Sequence, residues 1–145
     1  HRFEAEESFD LIISVSAMEH IPEDSRLIRR LAEVVAPSGL QVHFVPSGWG
    51  LLVYLWHGYR QYSLSSLDER FDSPYKMVFM MGGAASFLLH FFFITVGELL
   101  LRLRLRNRTP RLYAWILERC LQLDSLVPIC ATMYAVCQKT APLSD

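Results

Sequence analysis

Hydrophobic positions along the chain change from a continuous run to a helical stripe and back. Residues 9–16 (FDLIISVS) form an apolar run of strand length without alternation, which is typical of a parallel strand covered on both faces. From Pro22 onward apolar residues recur at helical spacing, with charged residues on the opposite side. A turn at 36–39 ends this helix, and residues 40–45 (LQVHFV) predict a second strand. The order predicts a βαβ unit over 9–45, with a right-handed crossover and parallel strands.

The chain after the second strand is more apolar and less regular. Residues 49–57 favour a short helix, and residues 63–74 favour a loop. A further helix is predicted from Pro110 to about Leu123, because a proline suits the first helical turn. Residues 129–138 (ICATMYAVCQ) predict a last strand.

The longest apolar run, residues 77–97, contains one ionisable side chain, His90, and is long enough to cross a bilayer. The five arginines that follow it are typical of a cytoplasmic flank. Gly82-Gly83 favours a break, which leaves a helix over about 84–105. Small and polar residues share one face of that helix, which indicates either close packing on another element or the inner face of a membrane-associated helix. We expect a lid or core helix that is not fully inserted. The residues of this face are Gly83, Ser86, His90 and Gly97.

Composition limits the class of protein. A chain of 145 residues has room for one domain, and 52% apolar with 20% charged residues excludes general disorder. The net charge of −1 provides no basic field for nucleic acid. Charge is uneven: residues 1–72 carry 6 basic and 11 acidic side chains, and residues 73–145 carry 8 and 4. Three cysteines without C-x-x-C spacing predict free thiols and no disulfide framework or zinc site; they are Cys120, Cys130 and Cys137.

Residues 9–47 resemble the middle of a class I S-adenosylmethionine-dependent methyltransferase: FDLIISVSAMEHIPEDSRLIRRLAEVVAPSGLQVHFVPS. The matching pieces are the strand, the Glu19-His20-Ile21 after it, the helix, and a VAPSGL turn similar to the family's LKPGG. Tyr134-Ala135-Val136 resembles part of the family's last antiparallel strand. Ser38 stands where the first glycine of the turn usually lies, and we expect Gly39 to supply the unusual backbone conformation.

The resemblance implies an α/β fold: a doubly wound, Rossmann-like sheet of parallel strands plus a final antiparallel strand, with inserted apolar helices. The chain would be its C-terminal half, from strand four onward, and would be inactive without the N-terminal half that carries the glycine-rich cofactor loop. The implied cofactor is S-adenosylmethionine, and the implied partner is a small apolar acceptor. Residues 1–145 then form an incomplete methyltransferase domain, with a βαβ core at 9–45, a substrate-side loop and lid helices at 46–126, and a closing strand at 127–139.

The same resemblance implies which residues would form a site. The carboxyl end of the first strand would pass along the cofactor, largely through its backbone. Three side chains could polarise or deprotonate the acceptor, although His20 could equally orient its turn and residues 57–60 could be a plain surface loop. The cofactor-binding candidates are Val15, Ser16, Ala17 and Met18, and the catalytic candidates are His20, His57 and Tyr59.

Two other histidine-containing positions are not expected to bind ligands. Some relatives hold a metal through a Glu-His pair and a carboxylate three positions earlier, but Ser16 occupies that position here, so no metal site is expected. His43 alternates with apolar residues within a strand and is predicted to be packed. We expect no nucleic-acid partner and a cytoplasmic location, with membrane-surface contact through 77–111. The alternatives are a non-catalytic membrane-associated protein with a transmembrane or interfacial helix at 77–105, and an interaction module completed by another chain.

Overall fold

The computed structural model describes residues 8–54, 58, 60–71, 73, 75–127 and 129–139. His57 and Tyr59 lie outside the described residues. In chain order the elements are β1 (Phe9–Val15), a 3-10 turn (Met18–His20), α1 (Asp24–Val34), β2 (Val35–Pro46), α2 (Gly50–Tyr54), α3 (Leu64–Arg70), β3 (Lys76–Met81), α4 (Ala84–His90), a π-helix (Phe91–Leu100), α5 (Leu105–Arg108), α6 (Pro110–Asp124) and β4 (Met133–Lys139).

The four strands form one sheet in the order β1-β2-β4-β3. Strands β1 and β2 are parallel and are connected by α1, as the βαβ pattern predicted. Strand β4 lies between β2 and β3 and is antiparallel to both. Consequently β1, β2 and β3 run in one direction and β4 runs in the other. The predicted α/β sheet of parallel strands with an antiparallel last strand is confirmed.

The predicted turn at 36–39 lies inside β2 and differs from the expectation in its conformation. The pairing of β1 with β2 skips from Phe9↔Val35 to Leu11↔Leu40, so residues 36–39 bulge out of the ladder. Ser38 takes the left-handed conformation, with φ of 68°, and the expected role of Gly39 is therefore wrong. Gly39 is instead required for space, because a Cβ there would lie 2.5 Å from Cγ1 of Val35.

Two segments were predicted wrongly. The long apolar run begins as strand β3, so the substrate-side range 46–126 holds a strand as well as helices. Gly82, with φ of 80°, ends β3, and the predicted break before α4 is confirmed. The 63–74 loop contains α3, whose first turn is capped by Ser63. The closing strand begins at Met133, later than expected.

The predicted polar stripe on α4 packs against α6. Asp124, which is 5% exposed, accepts hydrogen bonds from the backbone N–H groups of Ala85 (2.8 Å) and Ser86 (3.2 Å). Its carboxylate thereby caps the amino-terminal end of α4. Among the helices of the described residues, none is both long and apolar enough to cross a membrane. The 77–105 segment, named above as an alternative transmembrane or interfacial helix, is divided between β3, α4, the π-helix and α5.

One face of the sheet carries the hydrophobic core. Helices α1 and α3 lie on this face and pack against alternate residues of β2 and β4. The buried members of the core are Met18, Ile28, Val45, Tyr62, Leu67, Phe71, Tyr134 and Val136.

The opposite face of the sheet is apolar and largely uncovered. Alternate residues of the two outer strands point to it, and seven of them are between 41% and 64% exposed. Parallel strands are normally covered on both faces, so this surface is unusual for an α/β sheet. We call it the open face; its exposed residues are Phe9, Leu11, Ile13 and Val15 of β1 and Met77, Phe79 and Met81 of β3.

Candidate functional site

The sheet topology brings four chain segments to one edge. The carboxyl ends of β1, β2 and β3 point the same way, and the antiparallel β4 begins at that edge. The edge therefore holds Ser16, Ser47, Gly82 and Thr132. Open α/β sheets bind ligands outside the carboxyl ends of their strands, so this edge is the candidate site.

The turn after β1 leaves the sheet through a strained residue. Ser16 has φ of 46°, which is rare for a residue with a side chain, and its N–H donates to the Phe44 carbonyl at 3.0 Å. Such backbone conformations concentrate at ligand-binding sites because the surrounding structure must hold them. Next along the chain, Ala17 accepts a hydrogen bond from the His20 N–H at 3.1 Å and starts the 3-10 turn. The predicted cofactor-binding residues thus form one short, rigid turn.

The side chains of this turn point in different directions. Val15 is 64% exposed and belongs to the open face, whereas Met18 is 1% exposed and packs in the core. Ser16 and Ala17 are half-buried at the edge. A ligand at this edge would therefore meet the small side chains and backbone of Ser16 and Ala17, and no contact from the Met18 side chain.

Glu19 and His20 occupy contrasting environments. The Glu19 side chain is fully buried, whereas that of His20 is 48% exposed, and His20 Nε2 lies 3.9 Å from Glu19 Oε1. The backbone at Gly58 lies against this pair, since a Cβ there would come within 2.7 Å of Glu19 Cγ. Within the described part of the chain, no three side chains of the metal-binding types come together. His20 is thus an accessible imidazole beside a buried carboxylate.

A buried carboxylate, Asp24, organises the next segment of the site. It is 1% exposed and accepts hydrogen bonds from the Tyr62 hydroxyl (2.8 Å), from Arg70 Nη1 (2.6 Å) and from the Ser25 N–H (2.8 Å). The Arg60 guanidinium forms a further ion pair with it. Burial opposes ionisation of Asp24, but the hydrogen bonds from Arg60, Tyr62 and the Ser25 N–H, with the charge of Arg70, together outweigh it and lower the pKa of the carboxyl.

The Asp24 cluster ties the start of α1 to the segment after Gly58. Arg60 also donates to the Pro22 carbonyl at 2.6 Å, so it fastens both sides of the connection. The sequence pattern did not predict this cluster. Arg60 therefore stabilises the structure here and is not directed toward an acceptor.

His43 is a packed residue, as predicted, and belongs to a second buried network. It is fully buried; its Nε2 lies 3.0 Å from Oε1 of Gln41 and its Nδ1 lies 2.7 Å from Oγ of Ser14. Because Gln41 Oε1 can only accept, the Nε2 carries the proton and Ser14 donates to Nδ1. Burial lowers the pKa of His43 to about 4, so the imidazole is neutral near pH 7.

Two cavities open beside the candidate edge. The larger, of about 500 Å³, follows the carboxyl end of β2 and is mostly apolar. Its backbone frame is fixed by the Ser47 N–H, which donates to the Thr132 carbonyl at 2.9 Å, and by the Tyr62 N–H, which donates to the Pro46 carbonyl at 2.9 Å. The lining residues are Gly48, Trp49, Leu51, Leu52, Tyr62, Ser63 and Tyr134.

The smaller cavity, of about 170 Å³, lies between the end of β3 and helices α4 and α6. His90 lines it together with Ser86 and Thr132. Apart from Gly82, the other lining residues have apolar side chains. The Nδ1 atom of His90 is buried without a hydrogen-bond partner among the described residues. Burial and the nearby Arg106 lower the pKa of His90, so it is a neutral group facing an apolar space.

Comparison with known proteins agrees with this fold. The family model of a methyltransferase domain matches residues 2–42, which are 41 of the 145 residues. The fold is similar to the crystal structure of a protein from Galdieria sulphuraria described as a sarcosine dimethylglycine methyltransferase, with a TM-score of 0.50 and 15% sequence identity. That similarity covers 92% of this chain and 54% of the other, so the chain spans about half the length of the structure it matches. No curated protein matches the sequence.

These findings confirm the resemblance to a methyltransferase domain, in sequence over residues 2–42 and in fold over most of the chain. The family match covers β1, its turn and most of the βαβ unit, and the structural match extends the likeness in fold to the rest of the chain. The roles assigned to individual site residues stay predictions.

Proposed function

We propose that this chain forms the acceptor side of a methyltransferase domain that methylates a small apolar molecule with S-adenosylmethionine. The observation that carries the proposal is the strained Ser16 turn at the carboxyl edge of the sheet, an edge along which two apolar cavities also open at other strands. Both features lie where an α/β sheet binds ligands. The apolar cavity walls favour an acceptor with little charge.

The described residues fit one side of a cofactor pocket. Ser16 and Ala17 present backbone and small side chains at the edge, which allows a ligand to approach closely. S-adenosylmethionine, when bound, supplies a methyl group on a positively charged sulfur. The task of this chain is then to hold the acceptor in line and to exclude water, which positioning and apolar walls achieve. His20 is an accessible group at the same edge that can accept a proton from the acceptor.

The rest of the pocket is proposed to come from the N-terminal half of the domain. Strand β1 is an outermost strand of the sheet, so the backbone groups on its outer side can pair with a further strand. The open face offers an apolar surface on which additional helices could pack. A partner that covers this face would complete the two-sided α/β sheet.

The proposal is tested by binding of radiolabelled S-adenosylmethionine to the natural gene product that contains this chain. Ala17→Trp places a bulky ring at this half-buried position. It should weaken binding at least tenfold, because the ring would occupy the space that the cofactor needs. Ala114→Trp, at an exposed position on α6, is the matched control and should bind as the wild type does. Equal affinity in the two variants would place the cofactor elsewhere.

A further inference from the structure

Residues 99–115 are an exposed segment that runs from the end of the π-helix through α5 to the start of α6, and we call it the basic tip. The π-helix ends at Leu100, α5 occupies Leu105–Arg108, and α6 begins at Pro110. Backbone hydrogen bonds fix the first turn of the tip: the N–H of Leu101 donates to the Val96 carbonyl at 3.0 Å, and that of Leu103 to the Gly97 carbonyl at 2.7 Å. The tip is therefore an ordered structural element.

The tip combines exposed apolar side chains with positive charge. Six large apolar residues are between 41% and 63% exposed, which leaves much hydrocarbon in contact with water. Five arginines lie in the same segment, and it contains no acidic residue. The exposed apolar residues are Leu99, Leu100, Leu101, Leu103, Leu112 and Trp115, and the arginines are Arg102, Arg104, Arg106, Arg108 and Arg111.

Most of this positive charge is unneutralised. Arg106 is held by Glu98 through two hydrogen bonds of 2.7 Å, which also lower the pKa of the Glu98 carboxyl. The other four arginines are exposed and form no ion pair with any described residue. A partner of the tip must therefore supply negative charge, and it must also accept leucine side chains.

We infer that the basic tip binds the surface of an anionic lipid bilayer. Leucine and arginine alternate from 101 to 106, so apolar side chains can enter the acyl boundary while the long arginine side chains extend to headgroup phosphates. The exposed Trp115 suits the interface between headgroups and hydrocarbon. A nucleic acid would use the arginines but would leave the leucines in water. Binding is peripheral, since five arginines within 17 residues exclude insertion across the bilayer.

The inference is tested by sedimenting the full chain with vesicles of phosphatidylcholine alone and of phosphatidylcholine with one-third phosphatidylglycerol. We expect strong binding to the anionic vesicles, weakened by salt, and little to the neutral ones. Arg104→Gln with Arg108→Gln should weaken anionic binding about 30-fold, because each basic residue at such a surface contributes about fivefold. Arg29→Gln with Arg30→Gln, on exposed positions of α1, removes the same charge and should leave binding unchanged.

Leu100→Ser with Leu101→Ser tests the apolar part and should also weaken vesicle binding, with the far-ultraviolet circular dichroism spectrum unchanged. Equal binding to neutral and anionic vesicles would overturn the inference, as would equal losses in the two arginine pairs. Binding to polyuridylate without binding to vesicles would identify the tip as a nucleic-acid surface. The measurement requires no methyl transfer, so its outcome is independent of the proposed function.

Discussion

Replacing the buried carboxylate of Asp24 should remove a large part of the stability of this fold. Asp24→Asn keeps the shape of the side chain but abolishes its charge, and it leaves Arg60 and Arg70 without their anion. Removing one partner of a buried ion pair costs about 3–5 kcal/mol. The two guanidinium side chains are 21% and 30% exposed and can turn partly to water, so we expect about 3 kcal/mol.

Urea unfolding of the full chain, followed by tryptophan fluorescence, measures this cost. With a slope of about 1–3 kcal/mol per molar for small proteins, the midpoint should fall by at least about 1 M. The matched control is Glu23→Gln, the adjacent carboxylate. Glu23 pairs with Arg26 at 3.0 Å, but these side chains are 69% and 60% exposed, so the cost should be below about 1 kcal/mol.

The pH dependence of Asp24 supplies an independent check. The pKa of the folded carboxyl is lowered from 3.8, so its stabilising contribution is complete above pH 3.8 and is lost as the pH falls through the lower, folded value. As the pH falls below 3.8, the stability of Asp24→Asn should therefore decrease less than that of the wild type. A cost no greater than that of Glu23→Gln, with an unchanged acid profile, would refute the assignment of Asp24 as the organising residue.

Two further predictions concern a buried histidine and the open face. His43 has a folded pKa of about 4 against an ordinary 6.5, so the unfolded state binds a proton first and stability should fall by about 3 kcal/mol from pH 6.5 to pH 4. His43→Gln should flatten that slope in urea titrations, and an unchanged slope would assign it to other groups. Phe79→Lys should cost little in this chain, where Phe79 is 51% exposed, but at least about 2 kcal/mol in the natural gene product if the face is covered there. Phe92→Lys, at a residue 59% exposed, is the control, and equal costs for Phe79→Lys in both proteins would show that nothing covers the open face.

The βαβ unit was predictable because its boundaries are marked in the sequence. A continuous apolar run, a proline at the start of the helical stripe and the Pro37-Ser38-Gly39 stop each have a local physical meaning. Strand β3 was not predictable in this way, because its residues and those of α4 are equally apolar and only Gly82-Gly83 separates them. Period cannot distinguish a short strand that is apolar on both faces from the start of a buried helix.

The candidate site, too, was predictable from the sequence only in part. The Ser16 turn could be located from the end of an apolar strand, since ligands bind at strand ends in α/β sheets. The Asp24 cluster could not be located in this way. Tyr62 and Arg70 lie 38 and 46 positions after Asp24 in the chain and reach it only in the folded structure, where α3 packs against α1. Helix α3 itself was hidden by its polar sequence. One fully buried residue, Leu67, and the serine cap at its start hold it in place.

The basic tip and the cavities are connected through shared elements of structure. Thr95 of the π-helix donates its hydroxyl to the backbone carbonyls of Leu52 and Val53, so the helix that leads into the tip is fastened to α2 in the wall of the larger cavity. Helix α6, which leads out of the tip, supplies Leu117 and Leu121 to the smaller cavity. A bilayer bound at the tip would therefore contact the segment that joins these two elements. The acceptor proposed above is apolar, so it would partition into such a bilayer and be concentrated near the chain.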